Sequence, residues 1–140
     1  MRFLLDTMVL SEGRKRRPAP AVAAWLDAVP EDDLGISVLT LGELERGVAA
    51  HPDPSQRHRL QAWLEDGLRL RFAGRILPVD EVVASLWGRL SGEAARVGRT
   101  VPLVDGLLVA TARRHGLTLV TRNLRDVEGL GAQVLDPWQG

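Results

Sequence analysis

The chain has 140 residues, with 18 basic and 18 acidic side chains, and hydrophobic residues make up 45% of it. That is the size and composition of one ordinary globular domain, able to bury a core unaided, and not of a disordered segment. Balanced charge argues against a general nucleic-acid coat. The lack of cysteine excludes disulfides and thiolate metal sites, and three scattered histidines, His51, His58 and His115, leave oxygen as the ligand for any metal.

No apolar stretch approaches the roughly 18 residues that span a bilayer. The opening "MRFLL" has the charge of a signal-peptide start, but Asp6 interrupts it and no apolar core follows, so a cytoplasmic protein is expected. Lys15 is the only lysine. Arginine forks suit phosphate, and a GC-rich coding sequence accounts for the same bias equally well.

There is no repeat, low-complexity tract or linker, so residues 1–140 read as one domain. "RFLL" (2–5) is a candidate strand. "PAVAAWLDAV" (20–29) is a helix, with Pro20 in its first turn and Pro30 ending it. "LGISV" (34–38) is a second strand. "TLGELERGVAA" (40–50) is helical, with Thr40 as N-cap, Glu43 completing a capping box, and Leu41, Leu44 and Val48 on one face. Over 55–72, Leu60, Trp63, Leu64, Gly67 and Leu68 keep helical spacing. "RILPV" (75–79) is a short strand. Between 80 and 98, Val82, Val83, Leu86, Trp87, Leu90, Ala94 and Val97 make the clearest amphipathic helix. Pro102 opens a helix from 103 to about 115, which Gly116 ends. "LTLV" (117–120) is a strand, "NLRDVEGL" a connector and "AQVLD" (132–136) a last strand. Strands alternating with helices predict an α/β fold whose mainly parallel sheet is covered on both faces.

In such sheets, sites form beyond the carboxyl ends of the strands. Asp6 follows the first strand, Glu43 lies in the helix after the second, Asp105 in the first turn of the helix at 103, and Asp126 a few residues past "LTLVTRN". Taken singly, each has a structural explanation: Glu43 a capping box, Asp105 a first-turn acid favoured by the helix dipole, Asp126 a turn, Asp6 a cap for whatever helix follows. Together they occupy equivalent places in the topology. Carboxylates within about 4–6 Å of one another repel unless protonated or bridged by a cation. A hard divalent ion, Mg²⁺ or Mn²⁺, would relieve them, activate water and steady a phosphodiester under attack.

Arginines surround these segments. "RKRRP" (14–18) contributes Arg14, Lys15, Arg16 and Arg17, and Arg122 and Arg125 flank Asp126, as do Arg113 and Arg114 the Asp105 helix. Acids within a basic rim suit a substrate gripped by its phosphates; an ordinary solvated face explains "RKRRP" alone as well. The histidines read as surface residues. Trp25, Trp63, Trp87 and Trp138 read as core or interface anchors.

"LLDTMVLSE" resembles the opening of PIN-domain proteins. "SVLTLGELERG", "PLVDGLLVATARRHGLTLVTRNLRDVEGLG" and "VLDPW" resemble successive blocks of the VapC toxin branch, in order, from residue 2 to 138. The resemblance implies a PIN fold, with about five parallel strands flanked by helices. It also implies a Mg²⁺-dependent endoribonuclease toxin, homodimeric, which a VapB-type antitoxin neutralises in a hetero-oligomer by covering the acidic pocket. By position, the metal ligands it implies are Asp6, Glu43, Asp105 and Asp126, with Asn123 able to take the last place, and Thr7 and Thr121 supporting them. The family usually carries asparagine where this chain has Met8, and methionine cannot replace its hydrogen bonds. That departure leaves open a catalytically weak PIN domain that binds RNA or antitoxin. A haloacid-dehalogenase-like phosphatase also places an aspartate after its first strand, but wants a second one where Met8 stands and a later lysine. No G-x-G-x-x-G follows the first strand, against a dinucleotide site.

Overall fold

The computed structural model describes residues 1–139. At its centre is β1 (Phe3–Leu5), buried throughout. Phe3 and Leu5 join the core on one face of the sheet and Leu4 the core on the other, the alternation that a pleated strand imposes. A strand covered on both faces needs hydrogen-bonding neighbours on both edges. β2 (Leu34–Ser37) pairs with one edge of β1 and β4 (Thr118–Val120) with the other, both parallel. β3 (Ile76–Leu77) extends the sheet from β2 and β5 (Val134–Leu135) from β4, giving the order β3-β2-β1-β4-β5, parallel throughout. The expected sheet is present, with strands shorter than their apolar runs.

On the Phe3/Leu5 face lie α1 (Thr7–Arg14), α2 (Pro20–Ala28), α3 (Val38–Ala49) and the helical stretch that begins with α4 (Pro54–Ala62). The Leu4 face is covered by α6 (Glu81–Arg96) and α7 (Leu103–His115), after the one-turn α5 (Arg69–Arg71) closes the preceding stretch. Gly116, at φ 66°, takes the left-handed conformation that ends α7 and turns the chain into β4. All four tryptophans pack against one core or the other, Trp25 edge-on to Phe3 with centroids 5.1 Å apart.

The structure corrects several sequence readings. A helix to which the sequence reading gave no bounds, α1, begins directly after Asp6, which caps it. α3 starts at Val38, capped by Ser37, whose hydroxyl accepts from the Leu39 N–H at 3.0 Å. Thr40 is therefore a buried first-turn residue, and Glu43 falls in the second turn, out of reach of a capping box. The helix over 55–72 is interrupted: between α4 and α5, residues Trp63–Leu68 form a π-helical segment, whose wider turn absorbs an extra residue while Leu64 and Leu68 stay buried. In α6, Asp80 caps the helix, and Val82 and Val97 are exposed rather than part of its apolar face. "NLRDVEGL" contains a short helix, α8 (Leu124–Val127). His58 and His115 are exposed, but His51 is half-buried and accepts from the Asp53 N–H. Among the described residues, no helix is long and apolar enough to cross a membrane.

Candidate active site

The chain builds the sheet outward from β1 through β2 to β3, then returns to lay β4 on the free side of β1. The connections leave β1 and β4 in opposite directions, which opens a crevice above their carboxyl ends. Asp6 is the first residue past β1, and Thr121 the first past β4. The Asp6 N–H donates to Val120 O at 2.9 Å, which extends the β1–β4 ladder into the site.

Asp6 is buried, and both of its oxygens are held. Oδ1 accepts from the Thr7 N–H at 2.7 Å, which caps α1, and Oδ2 accepts from the Thr121 hydroxyl at 2.7 Å. The cap and the site are one arrangement. Thr121 in turn accepts from the Asn123 N–H at 3.1 Å, so the loop after β4 is tied to the same carboxylate. Burial pushes the Asp6 carboxyl above the ordinary range, the two hydrogen bonds pull it back, and Glu43 adds a smaller push upward.

Glu43 reaches the crevice from α3. Its Oε1 accepts from the Thr7 hydroxyl at 2.6 Å. Thr7 also lies 3.3 Å from the Thr40 hydroxyl. Thr7 has a single hydroxyl proton, which the shorter bond to Glu43 takes, so Thr40 donates to Thr7. With the capping box ruled out, Glu43 keeps no structural task on its own helix.

Asp105 comes from the first turn of α7 and shares a cavity of about 470 Å³ with Asp6, Glu43 and Asn123. Its carboxyl is pushed up to about 6, first by burial, then by the charges of Asp6, Asp126 and Glu43, with Asn123 opposing the rise. A first-turn carboxylate is ordinarily favoured in its ionised form by the helix dipole. Here burial and repulsion outweigh the dipole.

Asn123 lines the cavity and Asp126 does not; Asp126 sits in α8, close enough to act on Asp105 through its charge. Every side-chain group able to ligate in the cavity's acid wall is a hard oxygen or amide donor. Among the described residues, no three acidic or histidine side chains are gathered closely enough to hold an ion as they stand. Asp6 and Glu43 are instead turned on to protein donors.

The basic residues named from the sequence lie elsewhere. Arg14 stacks over Trp63 at 4.6 Å, Lys15 pairs with Glu12 at 2.9 Å and Arg122 stacks over Trp138 at 4.9 Å. Arg16, Arg17 and Arg125 are exposed, and none of the six lines the acidic cavity. Two features escaped the sequence reading. One is Thr40, which the mistaken cap assignment concealed. The other is the cavity's apolar wall of Met8, Pro102, Leu103 and Val104.

The PIN domain family model matches residues 3–127. The chain is 37% identical to Toxin FitB of Neisseria gonorrhoeae over 136 residues, covering 97% of this chain and 98% of the relative. It is 36% identical to VapC ribonuclease Y4jK of Sinorhizobium fredii over 137 residues, covering 98% of each. The crystal structure of FitAcB from Neisseria gonorrhoeae is similar with a TM-score of 0.93, at 36% identity, over 99% of both chains. These findings displace the phosphatase alternative, for which Lys15, paired with Glu12 outside the cavity, is also misplaced. A five-stranded parallel sheet that gathers Asp6, Glu43 and Asp105 at its switch point, matched along nearly its whole length by these proteins, belongs to the PIN domain family.

Proposed function

We propose that this PIN domain is an endoribonuclease toxin that hydrolyses RNA phosphodiester bonds with the help of a divalent cation, Mg²⁺ or Mn²⁺. The observation that carries the reading is the meeting of Asp6, Glu43 and Asp105 in one cavity, where repulsion and burial push Asp105 to about 6. Such a group calls for a cation, and the donors are the hard oxygens that Mg²⁺ and Mn²⁺ take. Asp6, Asp105 and Glu43 would hold the ion, with Asn123 beside them and Asp126 adding charge from behind. Glu43 is exposed and Asp105 half-buried, so a cation would have to draw these carboxylates together from the positions they hold here. When bound, the ion supplies a positive centre that lowers the pKa of water and offsets charge on a phosphodiester.

The chain's own residues do the positioning. Thr121 and the Thr7 N–H fix the Asp6 carboxylate to the sheet edge, and Thr40 through Thr7 steers Glu43. The similar proteins named a toxin and a VapC ribonuclease support RNA as substrate and an antitoxin as partner. An acidic cavity invites an antitoxin arginine, by charge-assisted bidentate contact. Homodimerisation fits exposed Val38 and Val82, which start the helices after the adjacent strands β2 and β3, outside the cavity.

A second reading, an attenuated binding module, has Met8 in its favour: it lines the cavity without an amide to offer. Cleavage of mixed RNA with Mg²⁺, with EDTA, and by the Asp6→Asn and Met8→Asn variants tests both. Cleavage lost in EDTA and in Asp6→Asn supports the nuclease; cleavage that persists in Asp6→Asn overturns it. A silent parent with an active Met8→Asn variant assigns the module.

A further inference from the structure

We infer that the apolar wall of the acidic cavity, Met8, Pro102, Leu103 and Val104, receives one unstacked nucleobase of the RNA next to the phosphate to be cut. The inference rests on the ribonuclease reading and names what the site demands of its substrate beyond a phosphodiester.

Leu103 is 58% exposed and Met8 36%, although both stand at helix starts over the centre of the sheet and line one cavity with Asp6, Glu43 and Asp105. No segment of the described chain covers them. An occupant of this cavity must satisfy hard oxygen donors on one side and a hydrocarbon surface on the other. A nucleotide does both: its phosphate can share a cation with the acids while its aromatic base lies on the wall. The cavity's 470 Å³ falls within the roughly 300–1,000 Å³ of small-ligand sites.

The wall's composition says how it reads a base. Pro102, Leu103 and Val104 have no polar side-chain atom, so their side chains cannot recognise donors and acceptors along a base edge. The Met8 thioether is polarizable and flexible and packs favourably on aromatic rings. Every base has a π face, so contact of this kind tolerates sequence. It selects instead for a base free to leave its stack, as in a loop or single strand, and against a duplex. Met8 lines the cavity beside Asp6 and Thr7 and brings a thioether to it.

The test is a coupling measurement by binding. A fluorescein-labelled single-stranded RNA decamer that the protein cleaves in Mg²⁺ is remade with one abasic site at each position. Dissociation constants are read by anisotropy in Ca²⁺, for the parent and for Leu103→Ser and Met8→Ser, after melting curves show both exposed-site variants folded. One abasic position adjacent to the cleaved bond should weaken binding by the parent about tenfold, the loss of one base buried against the apolar wall. In Leu103→Ser, and to a lesser degree in Met8→Ser, that penalty should shrink to within about twofold, with every intact base giving the same pattern. An undiminished penalty in both variants overturns the inference, as does the absence of any abasic penalty in the parent. A Leu103→Ser change in dimer dissociation with the penalty intact overturns it in favour of a subunit contact. Failure of the ribonuclease reading is distinct: no RNA is then cut by the parent or by Met8→Asn, or cutting survives Asp6→Asn.

Discussion

Thr121→Val removes one oxygen at the junction of the two central strands. The Thr121 hydroxyl donates to buried Asp6 Oδ2 at 2.7 Å and accepts from the Asn123 N–H at 3.1 Å. Valine keeps the shape, so the loss is polar rather than a cavity. A hydrogen bond to a charged acceptor is worth about 1.5–3 kcal/mol, and the orphaned amide costs about 1 kcal/mol more. The sum, roughly 3 kcal/mol, lowers the melting temperature of a domain this size by about 10 °C. The effect must depend on pH. Burial raises the folded-state pKa of Asp6 above its unfolded value, so ionising it costs stability as pH rises from the ordinary carboxylate range through the raised value; the Thr121 bond limits that cost. Without the bond the cost grows, so parent and variant differ mainly by the orphaned Asn123 N–H while Asp6 is protonated and diverge further as pH rises. Melting followed by circular dichroism at pH 4, 6 and 8, with EDTA present, checks this. A Tm offset equal at all three pH values, or none at all, refutes the assignment of the hydroxyl to the carboxylate.

Asp105→Asn relieves a repelled, half-buried acid whose folded pKa is raised to about 6. Its ionisation costs stability as pH rises toward 6, so in EDTA the variant should melt higher than the parent at pH 8 and alike at pH 4, while RNA cleavage is lost. Gly106→Ala places a Cβ 3.0 Å from Trp87 Cδ1 and 3.2 Å from Val101 Cγ1. Overpacking there should cost about 1–3 kcal/mol in denaturant unfolding and shift the first turn of α7, so cleavage falls further than stability does. Glu12, held below the ordinary range by the Lys15 ammonium and the Ala19 N–H, contributes stability present above its unfolded pKa and lost as pH falls through its lowered folded value. Glu12→Gln should therefore lower Tm at pH 7 and converge with the parent in acid, once pH has fallen through the lowered Glu12 value.

Much of the architecture was legible because it is written in local terms. Three apolar residues before Asp6, the 3.6-residue spacing of Val83, Leu86, Trp87, Leu90 and Ala94, Pro102 before a helix and Gly116 after it each act within a few positions of themselves. Errors arose where two local signals competed. Ser37 and Thr40 are both good caps, and the end of the β2 ladder at Ser37 decided for the former. The π-helical segment around Trp63–Leu68 has no such local mark, since it arises from keeping Leu64 and Leu68 in the core.

The sequence by itself determined that acids stand just past strands or at helix starts, and thus on the rim where an α/β sheet can use them. Only the tertiary structure decided which of them meet. Thr7 and Glu43 are 36 positions apart and Asp6 and Thr121 are 115 apart, and what joins them is the return of the chain to the free edge of β1. The same packing put Asn123 rather than Asp126 in the cavity wall, turned Arg14 and Arg122 on to tryptophans, and left Leu103 uncovered beside the acids. Propensity and periodicity act over a few residues, whereas burial, repulsion and the direction of a side chain depend on whatever the sheet order brings alongside.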